Sequence, residues 1–201
     1  MIVSKACGLV VQRASQCESV APIAAYYTRY AGMMKGLEFK AAIHPDIQAV
    51  LLAMMSKLEQ DKNNMGLAGS GEGDAAKKAD EEEELRAFAL KVFAIADRTD
   101  QMGARDAKLL NKYMSARTFL QAYETILDER PLPAKESELL KYCSVRCYQI
   151  SKALKSGVAS ANTHIRQHTL RPTPANYAFT TLYTSIESAK LRTSNLNSWA
   201  A

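Results

Sequence analysis

Apolar residues recur at three- and four-residue spacing through most of the first 157 positions, the period of amphipathic helices. Ala6, Leu9/Val10, Arg13 and Cys17 mark one face of a first helix. Pro22 suits the opening turn of a second, because its fixed φ and missing N–H are tolerated there. Ile23, Tyr26, Tyr30, Met33/Met34 and Leu37 follow as an apolar stripe, the expected core face of that helix. Gly32 and Gly36 weaken it intrinsically, so close packing against a neighbour is expected to compensate. Pro45 opens a third helix, with Ile47, Leu51, Met54 and Leu58 as its core stripe.

Four glycines between Gly66 and Gly73 read as a linker. They are not a phosphate loop, since no strand precedes them and no Gly-Lys-Ser/Thr ending follows. The run Asp80 to Glu84 then places negative charge at an expected fourth-helix start, complementing the macrodipole. Its body carries Leu85, Phe88, Val92 and Ile95/Ala96, with Phe93 to one side. A fifth helix runs from about Arg105 through Leu109/Leu110, Tyr113, Ala116, Leu120, Tyr123 and Leu127. After Pro131 and Pro133, a long sixth helix carries Leu139/Leu140, Cys143, Cys147, Ile150 and Leu154 and stops at Gly157. No strand period appears in residues 1–157. The class expected is all-α: a three-helix module over 1–66, a Gly-rich linker over 67–79, a second three-helix module over 80–157, and a partly helical tail over 158–201. The tail's stripe is weaker, with Tyr177, Tyr183, Ile186 and Leu191.

Composition narrows the function. The longest uninterrupted apolar run, Ala49 to Met55, is seven residues, far short of the roughly 20 that span a bilayer. Lys5, Arg13 and Glu18 interrupt the first 18 residues, so no signal-peptide apolar region is present. Cys7, Cys17, Cys143 and Cys147 are too few for a disulfide framework in 201 residues, which points to a reducing, cytoplasmic setting. The net charge of +5 divides into +2 over 1–66, −4 over 67–104, +4 over 105–157 and +3 over 158–201. None of these is a dense basic block, so nucleic acid is not indicated.

Catalytic chemistry is not legible. Cys143-x3-Cys147 followed by His164-x3-His168 echoes a two-Cys, two-His zinc site. However, the cysteines sit on the inward stripe of a long helix, and the intervening segment is too long for a finger. His44, before Pro45, reads as a capping or solvent-facing histidine. No serine or cysteine has a recognisable His and carboxylate partner, and the acidic run 80–84 fans around its helix rather than converging. The expectation is a non-enzyme with no cofactor and no metal. What stands out is a second stripe on the third helix, Gln48, Leu52, Met55, Glu59 and Lys62, beside the core stripe. Such a two-sided helix either packs on another part of the chain or lines a groove for a partner, and pattern alone leaves these equal. Paired methionines (Met33-Met34, Met54-Met55) suit an adaptable surface.

Three stretches carry a family resemblance. Pro22-Ile23-Ala24-Ala25-Tyr26-Tyr27-Thr28-Arg29-Tyr30, with Met33-Met34-Lys35-Gly36-Leu37, resembles a helix of the Vta/LYST-interacting-protein family of ESCRT regulators. Ala89-Leu90-Lys91-Val92-Phe93-Ala94-Ile95-Ala96-Asp97, and Lys141-Tyr142 through Ile150 to Lys155-Ser156-Gly157, are similar to two further segments of that family. The same module begins some plant callose synthases. The resemblance implies that residues 1–157 form tandem MIT (microtubule-interacting and trafficking) modules binding helical tail motifs of ESCRT-III subunits in multivesicular body sorting. The protein would be recruited from the cytoplasm to endosomal membranes through those partners. It further implies a first-module groove at Leu52, Met55, Glu59 and Lys62. A second site would lie on the last helix, where Val145, beside Tyr142, replaces the family's bulky aromatic. A C-terminal domain in this family binds an AAA ATPase, and nothing in 158–201 resembles it, so that partner is implied only where such a domain accompanies this chain. The alternatives, in order, are a membrane-surface scaffold using the basic second module and tail, and a metal module.

Overall fold

The computed structural model describes residues 2–38, 45–67 and 74–156. Six helices account for all regular structure among them: α1 (Ile2–Cys17), α2 (Pro22–Glu38), α3 (Pro45–Met65), α4 (Ala75–Gln101), α5 (Ala107–Ile126) and α6 (Ala134–Lys155). The all-α class is therefore observed, with no strand among the described residues. His44, residues 68–73, Gly157 and residues 158–201, with the stripe at Tyr177, Tyr183, Ile186 and Leu191, lie outside the described residues, as do the side chains of Ala6 and Ile47.

Local signals explain several helix ends. Pro22 and Pro45 are the first residues of α2 and α3, as their missing N–H allows. Asp106 caps α5, its carboxylate accepting from the Leu109 N–H at 2.8 Å. Gly103, at φ 89°, follows α4, and its N–H bonds the Asp100 carbonyl at 3.0 Å. One start was misplaced. α4 begins at Ala75 rather than Asp80, because Ala75-Ala76-Lys77-Lys78-Ala79 are good helix formers, and its first turn holds no acidic residue. Three carboxylates of the 80–84 run are instead committed to neighbours. Glu81 (3% exposed) accepts from the Tyr27 hydroxyl, Glu82 from Arg130 and Glu83 from Arg86.

α1, α2 and α3 pack together, as do α4, α5 and α6, and α2 also lies against α4 and α5. The apolar core is continuous from α1 and α2 into α4, α5 and α6, running from Ala14, Cys17, Ala24, Ala25 and Ala31 into Leu85, Phe88, Leu109, Phe119, Leu120, Leu139 and Cys143. Its two ends differ in kind. The α1–α2 part is built of small side chains that let backbones approach. The α4–α5–α6 part is filled by aromatics, with Phe88 edge-on to Phe119 at 4.9 Å and Phe93, Tyr113 and Tyr142 about 6 Å apart in a triangle.

The expectation for α2 is overturned in a way that matters for function. Its buried residues are Ala24, Ala25, Thr28, Arg29, Ala31, Gly32 and Gly36, not the apolar stripe. Tyr26, Tyr30, Met33 and Leu37 are half-buried and Met34 is exposed. A helix contacted by four others is selected for small size on its buried faces, which a hydrophobicity pattern does not register. The close packing expected at the glycines is present. A Cβ on Gly32 would stand 2.6 Å from Cγ1 of Val10, and one on Gly36 2.6 Å from Cδ2 of Leu51. Val10 is β-branched and stiff, whereas the leucine tip can turn aside. Overpacking costs about 1–3 kcal/mol against the ~1 kcal/mol that Gly→Ala gains in a helix. Gly32→Ala is therefore expected to lower urea-unfolding stability by about 1 kcal/mol, and Gly36→Ala to be closer to neutral.

Buried charges are paired across helices. Arg29, 4% exposed, bonds Asp61 at 2.9 Å and also Glu18, while Lys57 reaches Asp61 at 2.7 Å and Glu18 at 2.9 Å. This joins the end of α1 to α2 and α3. Arg13 donates to Ser115 and Asn111, tying α1 to α5. Burial pushes the hydroxyls of Tyr27, Tyr113 and Tyr142 above their ordinary range, and it pushes the Cys17 thiol up to about 12. These groups stay protonated in the fold but ionise near their ordinary values once unfolded. Their stabilisation is complete below about pH 9 and is lost as pH rises through the folded-state values. The urea midpoint is expected to be level between about pH 7 and 8.5 and to fall steeply by about pH 11; a level midpoint throughout would contradict this.

Candidate partner-binding surface

The α2–α3 contact sets the geometry. Arg29 meets Asp61, Gly32 meets Met54 and Gly36 meets Leu51, so the two helices run antiparallel. On α3, Leu51, Met54 and Leu58 are buried to 5% exposure or less. The stripe Gln48, Leu52, Met55, Glu59 and Lys62 lies about 100° further round in the helical sense, and all five are exposed. On α2, the half-buried stripe Tyr26, Tyr30, Met33 and Leu37 lies about 100° round in the same sense from the Arg29–Gly32–Gly36 contact. In an antiparallel pair, equal rotations of the same sense bring both flanks to one side. The two stripes therefore flank the same side of the α2–α3 pair, with Tyr26, Met33 and Leu37 on α2, Tyr30 also packing against the core, and Leu52 and Met55 exposed on α3.

This flank is apolar and incompletely covered. Leu52 is 56% exposed and Met55 41%, among the largest apolar exposures in the described residues. Tyr26 stacks edge-on against Tyr27 at 5.1 Å, and its hydroxyl is pushed up by burial and by Tyr30, Glu81 and Asp61. Glu59 and Lys62 add one charge of each sign along the α3 rim. The sequence expectation for these four α3 residues places them together on one exposed face. The α2 flank carries a hydrophobic signal that pattern alone assigns to the core.

The second expected surface is split by the structure. Val145 is 40% exposed on the outside of α6, whereas Tyr142 is 8% exposed and packs against Phe93 and Tyr113. Tyr142 lies three residues after the fully buried Leu139, on the edge of the α6 core face, so it supports the aromatic triangle and is not a surface contact. Tyr148, 68% exposed, is the aromatic that shares the outer face with Val145.

Cys143 and Cys147 are buried free thiols facing the core, and His164 and His168 lie outside the described residues. Burial raises both thiols. At about pH 8, alkylation of Cys17 and Cys143 is expected only after denaturant is added, read by mass spectrometry. Among the described residues no group of three or more His, Cys, Asp or Glu side chains could hold a metal ion. No helix there is long and apolar enough to cross a membrane.

A family model described as Vta1 like matches residues 8–156. The chain is 28% identical over 148 residues to the Arabidopsis thaliana protein homolog of mammalian LYST-interacting protein 5, covering 73% of this chain and 32% of that protein. It is 27% identical over 153 residues to the vacuolar protein sorting-associated protein VTA1 homolog of Dictyostelium discoideum, covering 74% and 26%. It is 23% identical over 152 residues to the vacuolar protein sorting-associated protein vts1 of Schizosaccharomyces pombe, covering 76% and 36%. The chain thus spans about a third of the length of these curated relatives.

Proposed function

Because the chain belongs to the Vta1-like family, whose model runs from within α1 to the end of α6, we propose that it is a non-catalytic adaptor of the vacuolar-sorting machinery that binds helical tail segments of ESCRT-III subunits. Two of its relatives are named for vacuolar protein sorting, which supports this setting. The observation that carries the binding mode is the exposed Leu52–Met55 rim beside the half-buried Tyr26, Tyr30, Met33 and Leu37. An amphipathic partner helix lays an apolar ridge into such a groove, and Glu59 and Lys62 select its orientation by charge.

Affinity in the micromolar range, about −8 kcal/mol, suits a subunit that is released each cycle. Linkage to the ESCRT AAA ATPase, which the resemblance assigns to a C-terminal domain, is no part of the role proposed for residues 8–156. At the second module Val145 offers less apolar area than an aromatic and Tyr142 is nearly buried, so the first-module groove dominates peptide binding. The test is titration of an ESCRT-III tail-peptide panel into the wild-type chain. Saturable binding by at least one peptide is expected, and binding by none would overturn the reading.

A further inference from the structure

The outer face of α6, which includes Val145 of the implied second partner site, also carries a line of lysines that the adaptor reading does not use. Lys141, Val145, Tyr148, Lys152 and Lys155 recur at three- and four-residue spacing on a line about 180° from the core stripe Leu139, Cys143 and Ile150. All five are exposed, Tyr148 at 68% and Val145 at 40%. No Asp or Glu occurs from Leu139 to Ser156, and the nearest acidic group at the surface of α6 is Glu138, at the beginning of the line. None of the three lysines has a salt-bridge partner among the described residues. Arg146, the remaining basic residue of this stretch, is buried and spent on Asp100. At the C-terminal end, Tyr148, Ser151, Lys152, Lys155 and Ser156 surround an open depression of about 430 Å³.

We propose that this ridge is a direct contact for an anionic phospholipid surface. The resemblance implied membrane association through partners alone; here the chain supplies its own. Shape favours a lamella over a partner helix. The line lies directly opposite the core, so it is convex and has no second wall, whereas helix-in-groove binding needs two. A flat anionic surface engages a convex line of lysines without a groove. An exposed tyrosine among lysines matches the headgroup zone, where an amphipathic ring and snorkelling ammonium groups are both accommodated. The depression can seat a phosphate-bearing headgroup between Lys152 and Lys155.

Each lysine near an anionic surface is worth about fivefold in partitioning, so the three together contribute about a hundredfold. The experiment is vesicle flotation of the full chain with phosphatidylcholine alone or with about 30% phosphatidylserine, at low and raised salt. Residues 158–201 are also basic, so the comparison is between wild type and ridge variants of the same chain. Binding to phosphatidylserine vesicles is expected to fall steeply with salt. It is expected to drop about a hundredfold in K141E/K152E/K155E, to weaken in Tyr148→Ala, and to be unchanged in Met55→Asp. The charge-neutral K141Q/K152Q/K155Q set keeps the test available if charge reversal perturbs folding. Equal vesicle binding by wild type and both lysine sets would overturn the proposal. So would saturable chemical-shift changes at Val145 and Tyr148 with an acidic helical peptide while vesicles leave them unperturbed. Loss of the groove's peptide binding by Met55→Asp is read separately, so failure of the adaptor reading and failure of the membrane contact remain distinguishable.

Discussion

Arg146→Met is expected to lower the unfolding free energy by about 3 kcal/mol, one of the largest single-residue effects in the molecule. Arg146 and Asp100 are 6% and 5% exposed. The guanidinium donates to both carboxylate oxygens, from Nε at 2.8 Å and from Nη2 at 2.6 and 2.7 Å. Tyr113 donates to the same carboxylate at 3.0 Å, and Arg105 reaches it from the α4–α5 turn. One carboxylate on α4 thereby fixes the registers of α5 and α6. Removing the buried guanidinium leaves a desolvated charge held only by Tyr113 and the partly exposed Arg105, and breaking a buried pair from one side costs about 3–5 kcal/mol. Arg105 can follow the carboxylate, which favours the lower end. Arg146→Lys, which keeps the charge but loses the two-pronged geometry, should recover only part of the loss. Adding Asp100→Asn to Arg146→Met should cost less than the separate losses summed, because the uncompensated charge is gone. Urea denaturation of the four proteins checks this, and an Arg146→Met loss under about 1 kcal/mol would show that the pair behaves like a surface one.

That network marks where the sequence stops being readable. Helix number, helix class and the starts of α2 and α3 were legible because a proline is a local signal: Pro22 and Pro45 act within one turn of themselves. Asp100–Arg146, Arg86–Glu136 and Tyr27–Glu81 join residues 46, 50 and 54 positions apart, and nothing local to either partner announces the other. Arg13 is the instructive exception. It falls on the apolar stripe of α1 and is buried at 5% exposure, so a charge on a core stripe did signal a paired one. For the groove, the α3 half was legible as a second stripe that a single core face could not use. The α2 half was misassigned because hydrophobicity marks Tyr26, Tyr30, Met33 and Leu37 as core. The packed faces instead demanded alanine and glycine, and a size requirement of that kind becomes visible only once the neighbours are in place.

Met55→Asp should weaken binding of an ESCRT-III tail helix by roughly 2 kcal/mol or more, about thirtyfold, with the fold intact. Met55 is 41% exposed while its neighbour Met54 is 4% exposed, so the substitution places a carboxylate in the groove without entering the core. The bound helix would bury that carboxylate against an apolar ridge, and burying an unpaired charge is strongly unfavourable. Leu52→Asp should act in the same direction. Met54→Asp should instead unfold α3 from α2, since Met54 lies against Gly32. The pair Met54/Met55 therefore separates a folding position from a binding position one residue apart, read by circular dichroism and peptide titration on the same samples.

The central claim, that the α2–α3 flank is where a partner helix docks, is tested most directly by chemical-shift mapping of the labelled chain during titration with an ESCRT-III tail peptide. The account predicts saturable shifts at Tyr26, Tyr30, Met33, Leu37, Leu52, Met55 and Glu59, with Phe93, Tyr113 and Tyr142 unaffected. Shifts confined to α5 and α6, with the Leu52–Met55 rim silent at saturation, would contradict it.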